Sequence, residues 1–329
     1  MEVYFPLYYH SFRCIAGACP DSCCKEWAVD VDNDAARLYR SLEGALGDRL
    51  RSVLVDTDDG TVMTIEDGRC PMWRSDGLCR IQAELGHDAL CETCRKFPRL
   101  RHDYGDFVEL GLELSCPEAA RLILGSDGAF LVQAQPGGEA PEYDQEVMAI
   151  LRRSRKEALE FLRSTDDVAQ ALAGILLFAH GVQAVIDGVD SYATVEDCAA
   201  EAVRYRGQGD MDTVFALFRS LEVLTEEWKN RLEKPACMIH WDGCLRRLAQ
   251  YMIERYWLQA VSDFDLVCRV KFTVTACLLV GALGGDRVQT AQLFSKEIEN
   301  DPDNVDALLD AAYASPALTD ANLLALLTG

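Results

Sequence analysis

Nine of the chain's fourteen cysteines lie between Cys14 and Cys116, and only five are spread over the rest of its 329 residues. They run Cys14-x4-Cys19-x3-Cys23-Cys24, then Cys70-x8-Cys79, then Cys91-x2-Cys94, and finally Cys116. Structural disulfides are rare in a reducing cytosol, so such density points to metal or redox chemistry. A tetrahedral zinc site or an iron–sulfur cluster needs about four thiolates around one point. Cysteines a few residues apart on a turn converge at little entropic cost, whereas distant pairs must be brought in by the fold. Cys91 and Cys94 are one helical turn apart and can face the same way. Cys23 and Cys24 are adjacent, so on an extended backbone one serves the metal and the other a second site or the core. Ser75-Asp76-Gly77 reads as a tight turn that folds Cys70 and Cys79 back toward each other.

Spacing does not decide between zinc and iron–sulfur. The C-x3-C-x2-C run of radical enzymes that cleave S-adenosylmethionine is absent, as is the ferredoxin C-x2-C-x2-C run. Of five histidines only His87 and His102 fall near the cysteines, and His102 reads as a strand residue rather than a ligand. The site is therefore thiolate-dominated, which suits zinc or iron–sulfur. Buried structural thiols and a redox disulfide relay are the other readings of the same cluster. Cys198, Cys237, Cys244, Cys268 and Cys277 sit singly on apolar helical patterns and read as packing residues. Arg95, Lys96, Arg99 and Arg101 form a basic cluster beside the second cysteine group. Such cations can stabilise thiolates, hold a cofactor carboxylate by bidentate pairing, or simply balance neighbouring acids.

The elements that must position these residues change character near residue 125. Before it, short pieces alternate with turns. Lys25–Val31 alternates like a strand, and Asp32-Asn33-Asp34 offers a cap for a helix from Ala35 to Val55. Thr61–Ile65 reads as a strand, and Arg80–Leu85 as a short helix closed by Gly86. Arg99–Tyr104 and Phe107–Leu114 flank Gly105-Asp106 as a hairpin, and Cys116-Pro117 opens another helix. A turn-rich linker covers 135–141. Beyond it, helical spacing covers 142–164, 166–187, 193–205, 211–233, 240–258, 263–283 and 286–299, with short helices near 304–313 and 317–327. The expected fold is mainly α, with a small cysteine-rich α+β metal-binding domain over 1–134 and an all-α helical domain over 142–329.

The net charge is −22 and acidic residues are in excess throughout, which disfavours nucleic acid and anionic membranes and favours basic partners. The opening MEVYFPLYYHSF lacks the pattern of a secretory leader. The most apolar run, Phe272–Leu283, is too short to span a bilayer and reads as a core helix. A cytoplasmic protein is expected.

Four stretches resemble the flagellin lysine N-methylase family: Phe12-Arg13-Cys14-Ile15 with Cys19-Pro20-Asp21-Ser22-Cys23-Cys24-Lys25-Glu26-Trp27; Cys70-Pro71 with Gly77 through Gly86; Thr93-Cys94-Arg95-Lys96-Phe97-Pro98-Arg99; and Leu114 through Ala120. These motifs cover residues 12–121, and a fainter helical likeness continues through Arg255–Leu283. A broader set of zinc- or iron-chelating cysteine domains shares part of the pattern. The resemblance implies methyl transfer from S-adenosylmethionine to lysine ε-amines of flagellin, with an iron–sulfur cluster, [4Fe–4S] in type, or a metal such as zinc. Its matching metal positions are Cys14, Cys19, Cys23, Cys24, Cys70, Cys79, Cys94 and Cys116. Cys91 departs from the family, which carries a small polar residue there.

No strand–glycine-rich turn–helix unit is present to cradle a nucleoside, and Gly281-Ala282-Leu283-Gly284-Gly285 ends a helix instead. The basic cluster nominates Arg95 and Arg99 for the cofactor. The transfer itself needs a deprotonated amine held in line with the sulfonium methyl, with a group to take its proton. Asp30 and Tyr104 have the right chemistry for that, but capping and packing explain them better. The alternative function is a zinc- or iron-chelating redox or binding module without methyl transfer.

Overall fold

The computed structural model describes every residue except 26, 127–129, 190 and 235. Helix accounts for 57% of the chain and strand for 11%, which makes the fold mainly α with a small strand-bearing N-terminal part. That part contains β1 (Glu2–Pro6), β2 (Val29–Val31), α1 (Asn33–Ser41), α2 (Gly44–Val53), β3 (Leu54–Thr57) and β4 (Gly60–Met63). It continues with α3 (Arg80–Leu85), α4 (Glu92–Lys96), β5 (Arg99–Asp103), β6 (Phe107–Leu112), α5 (Pro117–Gly125) and β7 (Phe130–Ala134).

Two sheets organise it. A three-stranded sheet, order β2-β4-β3, packs with α1, α2 and α3 around a core of its own that includes Tyr39, Leu50, Met63, Met72, Cys70 and Cys91. A four-stranded sheet has the order β5-β6-β1-β7, with β1 parallel to β6 and antiparallel to β7. Alternation on β6 turns Phe107 toward the helical core while Val108 and Leu110 pack with Val3 and Phe5; Leu112, at the strand's end, joins the helical core.

The helical part comprises α6 (Gln145–Ser164), α7 (Val168–Ile186), α8 (Val195–Ala202), α9 (Met211–Arg219), α10 (Glu226–Leu232) and α11 (Gly243–Tyr256). It ends with α12 (Val267–Leu283), α13 (Arg287–Phe294), α14 (Pro302–Ala314) and α15 (Asp320–Thr328). Helix α12 is buried all round, from Val267 to Ala282, its apolar residues together with Arg269, Lys271, Thr273 and Thr275. The same core takes in Phe12, Phe107, Leu114, Cys116 and the inner face of α5. One helix among the described residues, α7, is long and apolar enough to cross a membrane, and its apolar side chains pack into this core.

Several expected elements differ. The helix over 35–55 breaks at Leu42, and Gly44 takes a left-handed φ of +79°. The return is so tight that a Cβ on Gly47 would sit 2.0 Å from the Leu42 carbonyl oxygen, a position open only to glycine. The strand over 25–31 shortens to Val29–Val31, and its residue Glu26 lies outside the described residues. The helix over 211–233 is two helices, because a buried acceptor reaches the break: Glu297 accepts from the Leu224 N–H at 2.8 Å and from the Thr225 hydroxyl. Helix 286–299 widens into a π turn over Ser295–Glu299, with Asn300 N–H donating to the Ser295 carbonyl at 3.1 Å. Strands β1, β3 and β7 carried no clear period-2 signal, and each exists through pairing with residues distant in the chain or across a turn.

Candidate functional site

The cysteines reach one region because short segments are tied together by side chains. Asp32 caps α1 through the Ala35 N–H at 2.9 Å, and its other oxygen accepts from the Glu92 N–H at 2.7 Å. One carboxylate thus starts two helices and brings Cys91 and Cys94 beside β2. The turn at 75–77 forms as expected: Gly77 N–H donates to Arg74 at 2.9 Å, Arg74 N–H to Leu78 at 2.9 Å, and Trp73 bridges Cys79. Cys70 N–H then donates to the Cys24 carbonyl at 2.7 Å, joining the second cysteine group to the first.

The Cys19–Cys24 loop and Cys116 hang from the helical body. Gln292 donates to the Ser115 carbonyl at 2.7 Å and to Asp21 at 3.3 Å, and the buried Lys296 ammonium donates to Asp21 at 3.0 Å. Burial alone would raise the Asp21 carboxyl, but Lys296, helped by the Ser22 N–H and Lys25, holds Asp21 below the usual carboxylate range. Lys296 also lies 5.4 Å from the Trp27 ring centre. Tyr251 accepts from the Leu114 N–H at 3.4 Å and from Arg255 at 2.6 Å, and Arg255 pairs with the fully buried Glu299 at 3.4 Å. The π turn therefore supplies both the ammonium that holds Asp21 and the carboxylate behind Leu114.

Within this frame the thiols pair. The Cys24 sulfur accepts hydrogen bonds from the Cys23 and Cys70 thiols, which lower its pKa to about 3. Cys23 and Cys70 are pushed upward in turn, because each holds its proton against Cys24. Cys91 is lowered by the thiol and N–H of Cys94, and Cys94 is raised. Cys79 is raised by burial and feels both Cys24 and Cys91. Cys116 is pushed to about 11 by burial, with Cys19 and Cys14 contributing, and Cys19 is raised by burial and by Cys14. The N-terminal cysteines thus form a chain of neighbours, with Cys23 linking the group of Cys14 and Cys116 to the group of Cys24 and Cys94. Among the described residues no three His, Cys, Asp or Glu side chains stand in metal-holding geometry.

Comparison with known proteins decides what kind of chain carries this cluster. It is 30% identical to the flagellar biosynthetic protein FliU of Salmonella muenchen over 161 residues, which is 45% of this chain and 88% of that protein. This chain belongs to the flagellar lysine-N-methylase family. It is 31% identical over 138 residues to the lysine-N-methylases of Salmonella typhimurium and Salmonella choleraesuis, covering 38% of this chain. The match spans only 33% of the length of each methylase. No family model matches the chain, and no solved structure matches it.

Cys91 is the position that the family's pattern undervalues. It is buried at the N-cap of α4 and hydrogen-bonded to Cys94, so it joins the cluster despite its departure from the family. The C-x2-C spacing was the signal for it. Asp21, Gln292 and Lys296 were not legible at all, because Asp21 is 271 residues from Gln292 in sequence.

Arg95 and Arg99 occupy different surroundings. Arg95 lines a cleft shared with Asp32, Asp34 and Asp88, while Arg99 lies 5.1 Å from the Phe12 ring centre, beside the Cys14 loop. Lys96 pairs with Glu92, and Arg101 with Asp103 at 2.6 Å, so half of the basic cluster balances local acids. Asp30 is exposed on β2, and Tyr104 stacks on Phe107 at 4.6 Å. His102 is on β5, as expected of a strand histidine, and burial lowers its pKa. Of the five later cysteines, Cys198, Cys268 and Cys277 are buried as packing residues, whereas Cys237 is exposed.

Proposed function

We propose that this chain is a protein-lysine N-methylase acting on flagellin in the cytoplasm, with S-adenosylmethionine as methyl donor and a thiolate-held metal centre in the part spanning 1–134. The 31% identity to two lysine-N-methylases carries this reading. The donor set supports the metal centre: it consists of sulfur, with no histidine among the paired groups, and soft thiolates select zinc or iron–sulfur. Thiols sharing protons in pairs are the protonated form of such a donor set, and metal binding replaces those protons. Cys14, Cys19, Cys23, Cys24, Cys70, Cys79, Cys94 and Cys116 are the residues that would hold it, with Cys91 added by the geometry. A second support is the small core between Val29 and Cys91, since cores of that size are commonly completed by a metal or by disulfides.

An iron–sulfur centre, [4Fe–4S] in type, would supply electron transfer, and zinc would supply structural closure. The protein's own contribution is to orient the lysine amine, strip its water and accept its proton. For the donor's carboxylate, Arg99 beside the Cys14 loop is better placed than Arg95, whose cleft is walled by aspartates. The helical part, 142–329, serves as the platform that holds the loop through Gln292 and Lys296.

The partial match to the methylases also favours a second reading, a metal-binding module without turnover. Anaerobic purification followed by iron, zinc and sulfide counting comes first. The loaded full chain is then incubated with methyl-labelled S-adenosylmethionine and flagellin. Label released as methyl-lysine on hydrolysis supports the methylase. A fully loaded protein that transfers no label to flagellin overturns it and leaves the module.

A further inference from the structure

A large groove lies away from the thiols. It has a volume of about 1080 Å³ and runs between the β5–β6 turn, the 138–144 segment and the turn at 261–264. That is at or beyond the roughly 300–1,000 Å³ of small-molecule clefts, and suits an extended chain better than a metabolite. Tyr104, Tyr143 and Phe264 supply its aromatic surface.

Phe264 has a left-handed φ of +60° and is 45% exposed, an unfavourable conformation for a bulky side chain. Gln183 holds that turn from both ends of its amide, donating to the Phe264 carbonyl at 2.7 Å and accepting from the Leu266 N–H at 2.8 Å. Tyr104 is backed by Phe107 in a 4.6 Å stack and meets Tyr143 edge-on at 6.3 Å, so the opposite wall is also held.

The charges on this groove are unbalanced. Arg101 is matched by Asp103 at 2.6 Å, whereas Glu139 and Glu142 have no cationic partner among the described residues. Aromatic faces together with unmatched carboxylates recognise an alkylammonium, through ring quadrupole and charge at once. β5 connects the groove to the cysteines: Arg99 at its far end lies over Phe12, and four strand steps of about 3.3 Å separate it from Asp103.

We propose that this groove docks an extended, lysine-bearing segment of the protein substrate. The proposal rests on the methylase reading for the identity of that substrate, but its test does not depend on turnover. Binding of a fluorescein-labelled peptide of alternating serine and lysine to the full, metal-loaded chain is followed by anisotropy at low salt, with the same peptide carrying acetyl-lysine as control. The double variant Glu139→Gln/Glu142→Gln and the single variant Phe264→Gly are compared with wild type, glycine being chosen because it accepts the positive φ without strain. A third variant, Glu226→Gln/Glu227→Gln on α10, removes the same charge from a remote exposed surface.

Each groove variant is expected to weaken lysine-peptide binding by about tenfold, the remote pair by less than about twofold, and acetylation to abolish binding. Unchanged binding in both groove variants overturns the proposal, as does equal weakening by the remote pair or equal binding of the acetylated peptide. Groove-dependent binding in a chain that transfers no methyl group upholds the groove and removes the methylase reading. Methyl transfer with an unchanged KM in both groove variants does the reverse.

Discussion

The stretch from Val29 to Cys91 and the helical body solve the same problem with different materials. In the body, α12 is buried along its length and is surrounded by aliphatic and aromatic side chains from α7, α11, α13 and α14. Apolar burial of that extent stabilises the body without outside help. The N-terminal stretch has a short list of buried side chains, and two of them, Cys70 and Cys91, belong to the thiol cluster. Its strands have three or four residues, its helices are held by shared caps, and much of its surface is charged. One region is ordered by hydrocarbon and the other leans on sulfur, so the two should respond differently to the same perturbation.

The largest contrast is expected from removal of the proposed metal. Chelation under reducing, anaerobic conditions should strip hydrogen-exchange protection from β2, β4 and α3 while α12 keeps its own. Equal protection of both regions before and after chelation would mean that the thiols merely pack. The converse perturbation is Phe272→Ala in α12, which should cost about 3–5 kcal/mol in urea unfolding, as truncation of a fully buried aromatic does. Metal content should be unchanged in the protein that remains folded.

A smaller effect probes the seam between the regions. Lys296→Met takes the buried one of two ammonium partners from Asp21, leaving Lys25 at 3.3 Å, and should cost about 2 kcal/mol, discounted because Asp21 is partly exposed. Its diagnostic is faster proteolysis within 14–24 with α12 still protected. The last effect is one of pH and belongs to the body. Burial pushes the Glu254 carboxyl up to about 8, against the lowering effects of Gln250, Arg163 and Arg155, while Glu109 adds to the rise. The native chain therefore holds a proton that the unfolded chain has already released near 4.5. Stability should fall as pH rises between those values and level off above them. Glu254→Gln should remove about 3–4 kcal/mol of that fall between pH 5 and pH 8, read by urea titration at each pH. A pH profile identical in wild type and variant would mean that Arg163 keeps Glu254 ionised.

Much of this molecule is legible in its residues. Arg80–Leu85 with its Gly86 stop, the hairpin around Gly105, the Ser75–Gly77 turn and the Pro117 helix start follow from turn and cap chemistry that acts over a few residues. The long helices of the body follow from period and composition. What was misjudged shares one cause. The break before Thr225 depends on Glu297, and β1 depends on strands more than a hundred residues away. The pairing of Cys91 with its neighbours depends on Asp32 reaching Glu92.

The sequence by itself determined the mainly α character and the concentration of thiols in the first third. It did so because periodicity, capping and cysteine spacing are local or compositional properties. Tertiary structure alone decided which thiols share protons, that Lys296 and Gln292 carry the Asp21 loop, and that Phe264 faces Tyr104 across a groove. Those outcomes follow from contacts between side chains far apart in the chain, whose energies exist only once the core has brought them together.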